Sequence, residues 1–440
     1  MGQLLGGIEH RSEAYPSIRV ARSADGNDAD GPDGRRRSVD GPAPASYLRE
    51  RLTRLGAPRH RRVQLERELP RGFELLPTPF GDAAVRQDVI PLPALEPDPG
   101  SVAYIDTETT GLSGGSGTYV FAAAVARPID CGLRVAQVFL PQQGMEAAFL
   151  HALAGEMEPA DAVATFNGSS FDLPVLRTRW VMARMLGDLA FHTHVDLLTL
   201  VRALYKHRLD SCNLRSVEER LLGYEREDPI ASALVPDAYF EYLRRGYSTM
   251  LEGALEHNRL DVISLVYLHS RLLRRLHGGD TGMDAADWLA LGRHRYRRGA
   301  RADGWRALRN ATGFAQGEAA ATAGLLMARR LIRRGSIDAA DSLLGWLEAR
   351  ASEDVRVSVA RARLFEWRRR DPLLALAVVE AAQERMPEHA TGLEQRRLRL
   401  RRKVDNRLRG RRQRQVWSYQ VESPISDGAP KRFDQRSIEL

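Results

Sequence analysis

The chain has 440 residues, 65 Lys+Arg against 57 Asp+Glu, a formal net charge of +8 and two cysteines. That length exceeds one ordinary domain, and Cys131 and Cys212 alone exclude a disulfide framework or a cysteine-rich zinc site, which fits a reducing cytoplasm. The excess of positive charge, almost wholly arginine, favours a polyanionic partner such as nucleic acid, although a genome rich in G and C would inflate arginine as well.

Residues 1–44 are rich in Gly, Asp, Arg, Ser and Pro and nearly free of large apolar side chains, the composition of a disordered leader. Residues 45–100 read as a basic helical arm (Arg49, Arg51, Arg54, Arg59, Arg61, Arg62) followed by a proline-punctuated linker ending at Pro97-Asp98-Pro99. From Ser101 the pattern becomes that of a compact α/β domain over 101–277. Strands are predicted at Ser101–Asp106, Thr118–Ala126, Leu133–Leu140 and Ala162–Phe166. Helices are predicted at Met145–Glu156, Leu173–Met185, Leu197–Tyr205, Leu214–Leu222, Asp237–Arg244 and Tyr247–Leu276, where apolar residues recur at three- and four-residue spacing. The apolar run Tyr119–Ala126 is too short to span a bilayer, so no membrane partner is expected.

Past Gly278 the texture changes to Ala, Leu and Arg. Arg297-Arg298-Gly299, Arg333-Arg334-Gly335 and Arg369-Arg370-Asp371 recur every 36 residues, with Gly292, Ala328 and Leu364 in phase. That period predicts stacked helical hairpins over 281–400, similar to tetratricopeptide repeats and suited to recruiting a protein partner. Residues 401–440 read as a basic disordered tail.

Three acidic sites stand out. Asp106 and Glu108 end the first strand of the α/β domain two residues apart, so they project to the same side. Asp172 follows the fourth predicted strand in Phe166-Asn167-Gly168-Ser169-Ser170-Phe171-Asp172, at the entry to a helix whose dipole favours its ionised form; a helix cap is the plain alternative. His257 and Asp261 lie four residues apart on one helical face, the spacing of an ordinary surface pair as well as of a site. Repulsion among clustered carboxylates is relieved most simply by a bound cation.

Taken in order, these motifs resemble those of the DEDD superfamily of 3′-5′ exonucleases and, within it, the YprB-like ribonuclease H-like proteins. The likeness rests on Ile105–Leu112, Phe166–Asp172 and His257–Asp261, with His194-Val195-Asp196 and Ser211–Gly223 as intervening blocks. It implies an α/β ribonuclease H-like mixed sheet flanked by helices, followed by an all-α repeat domain. It also implies a metal-dependent 3′-5′ exonuclease acting on DNA or RNA. Asp106, Glu108, Asp172 and Asp261 would hold two magnesium or manganese ions, and His257 would orient or deprotonate the attacking water. Thr110, Gly111 and Leu112 would meet the terminal nucleotide, or merely form a tight turn. Asn167 would touch substrate or hold its own turn, and Asp196 would assist the metal or cap the next helix. The histidine stands four residues before the last aspartate, where familiar members carry tyrosine at four or histidine at five. A non-catalytic nucleic-acid or protein-binding scaffold that retains the fold is the alternative.

Overall fold

The structure is a computed structural model and describes residues 67–111, 117–185, 193–226, 230–314, 317–350 and 353–421, with side chains to residue 409. Seven strands form one sheet in the order β1-β2-β5-β4-β3-β6-β7. They are β1 (Glu74–Thr78), β2 (Gly81–Ile90), β3 (Val102–Thr109), β4 (Val120–Ile129), β5 (Gly132–Phe139), β6 (Ala162–Thr165) and β7 (His194–Asp196). The first five run antiparallel to their neighbours, whereas β6 and β7 run parallel to β3. Strands β3, β4, β5 and β6 are those predicted from the apolar runs.

Apolar residues cover both faces of the sheet. Ala103 and Ile105 pack on one side with α1 (Glu146–Met157), α2 (Asp172–Met182) and α5 (Val235–Arg245). Val102 and Tyr104 pack on the other with α3 (Leu197–Tyr205) and the carboxyl-terminal half of α6 (Thr249–His277). A short helix α4 (Leu214–Val217) continues as a π-helical turn, Glu218–Leu222. This alternation is the period-two reading of Ser101–Asp106 made physical.

A mostly helical region follows: α7 (Ala285–Arg297), α8 (Arg301–Gly313), α9 (Glu318–Arg333), α10 (Ile337–Arg350), α11 (Val355–Arg363), α12 (Pro372–Arg385) and α13 (Ala390–Val421). Each helix packs against the next. The 36-residue period marks helix ends, with Gly299 (φ +83°), Gly335 (φ +81°) and Arg370 (φ +54°) in the left-handed conformation that stops the chain and turns it back. Met283, Leu291 and Ala307 join the core beneath the sheet, so the first helical pair packs on the α/β region. Among the described residues no helix is long and apolar enough to cross a membrane.

Two expectations are corrected. Residues 74–90, read as linker, are strands: Ala83, Ala84 and Val85 are buried, and β2 pairs with β5 from Ala84 opposite Phe139 to Ile90 opposite Leu133. Pro77 concealed the pattern, but β1 is an edge strand, where a missing donor is tolerated. The tail expectation fails at its start, because α13 extends to Val421. Leu393 and Leu400 are buried, and Arg399 and Lys403 each reach Glu366, at 2.7 and 2.6 Å. The leader 1–44, residues 45–66 of the arm, and 422–440 lie outside the described residues.

Candidate active site

β3 carries Asp106 opposite Ala124 and Glu108 opposite Ala122. These small partners leave room for α6, which packs directly on β3 and β4. The ladder shifts register between Glu108 and Thr109, a bulge-like irregularity that ends the pairing beside the acids. From α6, Asn258 Nδ2 donates to Asp106 Oδ2 at 2.7 Å and to its carbonyl at 3.0 Å. Asn258 is fully buried and accepts in turn from Gln137 Nε2 of β5 at 3.1 Å.

Thr107 alternates to the other side, where its amide (3.1 Å) and hydroxyl (2.5 Å) both donate to Asp172 Oδ1. Asp172 is therefore tied to β3 rather than acting as a cap, and the residue at the N-cap position is Phe171. Its helix is fixed below by Arg179 on Glu146, with Nε–Oε1 at 2.5 Å in a buried pair.

The turn leading to Asp172 is tightly built. Asn167 adopts φ +69°, and its amide donates to Asp196 Oδ1 at 2.9 Å. The same oxygen accepts from Leu198 N at 3.1 Å, so Asp196 caps α3 while holding the turn. Gly168 donates to Thr165 Oγ1, and a Cβ there would sit 2.4 Å from that oxygen, so no larger residue fits unmoved.

On α6, the turn below Asn258 sets His257 Nδ1 3.5 Å from Glu108 Oε1 and 3.6 Å from Asp261 Oδ2. The i,i+4 spacing thus brings histidine and aspartate together, with Glu108 as a third member. Asp261 also pairs with Arg226, whose Nε lies 3.2 Å from Glu218 Oε2. The Arg226 side chain is 6% exposed and that of Glu218 1%.

Electrostatics describe one site. Burial, then the charges of Asp261, Asp172 and Glu108, pushes the Asp106 carboxyl well above the usual range, and Asn258 only partly opposes this. Burial likewise raises Glu108 against the contact from His257, and Asp172 against the hydrogen bond from Thr107. Contact with Glu108 raises His257, outweighing its burial. Hard-oxygen donors whose ionised forms oppose one another suit a divalent cation such as magnesium or manganese in kind, and among the described residues their ligand atoms form an open cluster, no three of them within 4.8 Å of one another.

Thr110 and Gly111 close the base of a loop: Thr110 exchanges hydrogen bonds with Tyr119, and Gly111 O accepts from Thr109 Oγ1 at 3.0 Å. Leu112 lies outside the described residues. His207, Asp284 and Asp287 form an acid and histidine group whose ligand atoms lie within 4.8 Å of one another. Arg208 and Arg275 already pair with Asp287, which holds its carboxyl far below the usual range together with His207. That group is a neutralised structural network at the start of α7.

Sequence reasoning assigned no role to Asn258, Thr107, Gln137 or Arg226. Gln137 carried a usable signal, a polar residue inside the apolar run Leu133–Leu140. Arg226 follows a glycine turn among several charges and carried none.

Residues 103–273 match the model of the RNase_H superfamily. The matched span holds Asp106, Glu108, Asp172 and Asp261, together with His257. The chain is also similar to an uncharacterized protein, YprB, of Bacillus subtilis (strain 168), with 36% identity over 174 residues. That alignment covers 39% of this chain and 42% of YprB, so the chain spans less than half the length of this relative.

Proposed function

We propose that the ribonuclease H-like region is a metal-dependent 3′-5′ exonuclease of the DEDD type. The observation that carries the reading is the grouping at the end of the central strand β3: Asp106 and Glu108 on the strand, Asp172 tied to its Thr107, and His257 between Glu108 and Asp261. Asp106, Glu108, Asp172 and Asp261 would hold two divalent ions. Bound there, such ions supply a deprotonated water near neutral pH and neutralise the charge that develops on the phosphate.

The chain's own residues do the remaining work. Asn258 aims the Asp106 carboxylate, and Thr107 aims that of Asp172. His257 takes or orients the proton of the attacking water once Glu108 and Asp261 are engaged elsewhere. Asn167 and Gly168 hold the turn that presents Asp172. Thr110, Gly111 and Leu112 border the place of the terminal nucleotide. The helices from 281 onward act as tetratricopeptide-like hairpins that guide substrate or recruit a protein, in a cytoplasmic enzyme.

A second reading, a non-catalytic scaffold with this fold, is favoured by one observation: Arg226 supplies Asp261 with a protein cation. Incubation of the full chain and its Asp106→Asn variant with end-labelled DNA and RNA in manganese separates the two. Laddering from the 3′ end by the wild type alone supports the exonuclease. Equal inertness of both proteins establishes the scaffold.

A further inference from the structure

Between α3 and the start of the helical region lies an open cleft of about 840 Å³, remote in chemistry from the acidic site. Its lining includes Arg202, Lys206, Arg293, Arg297 and Arg330, with no acidic residue. Arg202 is on α3 and Lys206 is in the turn that follows it, four residues on. Arg293 and Arg297 repeat that spacing on α7, and Arg330 enters from α9. Like charges four apart on a helix repel, and here two such pairs face a shared space.

Some arginines elsewhere in the helical region do find carboxylates. There Arg361 sits on Asp341 (2.9 Å) and Glu348 (2.7 Å), Arg356 on Asp354 (2.7 Å), and Arg369 on Asp338 (2.7 Å). Among the described residues, none of the five cleft cations is within ion-pairing distance of a carboxylate. His207, also on the rim, is committed to Asp287 at 2.8 Å. Arg330 instead lies over the Tyr296 ring, 3.5 Å from its centroid. Nearby His294 is lowered to about 4, by burial and then by Arg298, Arg297 and Arg295.

We infer that this cleft binds the phosphodiester backbone of a single nucleic-acid strand. Five cations with no carboxylate partner among the described residues, on three helices and the turn after α3, match a ladder of phosphates better than one compact anion. The far wall, on α7 and α9, lies outside the matched span 103–273, so this surface belongs to the joined regions of this chain. The inference rests on the proposed nuclease reading and gives it a second hold on the strand. α3 begins beside Asp196 at the turn that presents Asp172 and carries Arg202 into the cleft about 9 Å further along its axis.

The test uses the full chain in EDTA, which prevents cleavage, and a labelled single-stranded oligonucleotide of about 20 nucleotides. Fluorescence anisotropy is read across a salt series for the wild type and for Arg202→Ala/Lys206→Ala/Arg293→Ala/Arg297→Ala, four exposed positions away from the acids. The expected result is weaker binding by the variant, with the slope of log K against log salt reduced by about 3, at about 0.7 per phosphate contact on a single strand. An unchanged slope and affinity overturns the cleft inference while leaving the nuclease reading in place. Equal competition by a mononucleotide at the same phosphate concentration also overturns it, by making the cleft a site for small anions. Failure of the wild type to bind any oligonucleotide in EDTA also overturns the cleft inference, while the metal-dependent cleavage assay decides the nuclease reading separately. Manganese binding at the acidic site, read by thermal shift, is expected to be the same in the variant, which distinguishes loss of the cleft from loss of fold.

Discussion

Asn258 Nδ2 bridges the two oxygens of Asp106 that matter most, the carboxylate Oδ2 at 2.7 Å and the backbone carbonyl at 3.0 Å. A single buried amide therefore locks the central strand to α6 and sets the direction of the first acid. It also supports the ionised form of Asp106 against burial and three like charges.

Asn258→Ala is expected to lose about 2 kcal/mol of stability, from the unpaired groups it leaves on Asp106 and Gln137. Removing its hydrogen bond also raises the Asp106 carboxyl further, so protons compete harder with a cation. Manganese titrations should show a larger loss of affinity near pH 6 than near pH 8.5. Losses equal at both values would mean that Asn258 acts only through packing.

Stability should depend on pH in the direction opposite to that of an ion-paired carboxylate. Asp106, Glu108 and Asp172 have folded values raised above 3.8 or 4.5. The native state therefore holds more protons than the unfolded chain in the window above those values, and stability falls as pH rises through it. His257, also raised, adds stability that is present below its ordinary value of 6.5 and lost above it. In EDTA, urea midpoints should decline from about pH 5 to pH 8, and Asp106→Asn should flatten the decline and exceed the wild type at neutral pH. With saturating manganese the order should reverse, because only the wild type gains from the ion. An Asp106→Asn protein less stable in EDTA would contradict the repulsion.

How much of this was legible beforehand differs by element. The central strand, its alternation and the position of Asp106 and Glu108 follow from a period-two pattern that burial enforces. The pair His257 and Asp261 follows from helical geometry. The edge strand β1 and its neighbour β2 were hidden because Pro77 and a short half-buried pattern look like linker, and only their pairing with each other and of β2 with β5 makes them strands. Strand β7 has three residues, too few for any period. Arg226 was beyond reach for another reason. Its partners Glu218 and Asp261 are 8 and 35 residues away, and nothing local signals which arginine in an arginine-rich chain will be buried.

His257→Ala should reduce turnover by about 10²–10⁴-fold if the imidazole transfers or orients a proton. In the free protein His257 is held toward its charged form by Glu108, so a base must first lose that proton. Activity should accordingly rise with pH through the neutral range in the wild type and lose that limb in the variant. Near-normal turnover by His257→Ala would remove it from the chemistry and leave the carboxylates as the whole site.

Arg226 makes the strongest claim on Asp261, because two carboxylates and one guanidinium are buried together. Arg226→Ala removes the guanidinium buried beside Glu218 and Asp261, which should lower stability by about 3–5 kcal/mol in urea unfolding. Replacing both members, Glu218→Gln with Arg226→Met, removes the stranded charge and should recover much of that loss. The same double variant takes a positive charge from Asp261, so manganese affinity should increase relative to wild type. Additive losses in the cycle would show that Glu218 and Arg226 act independently. An unchanged manganese affinity in a folded double variant would show that the arginine does not compete for Asp261, and would leave it a structural cation alone.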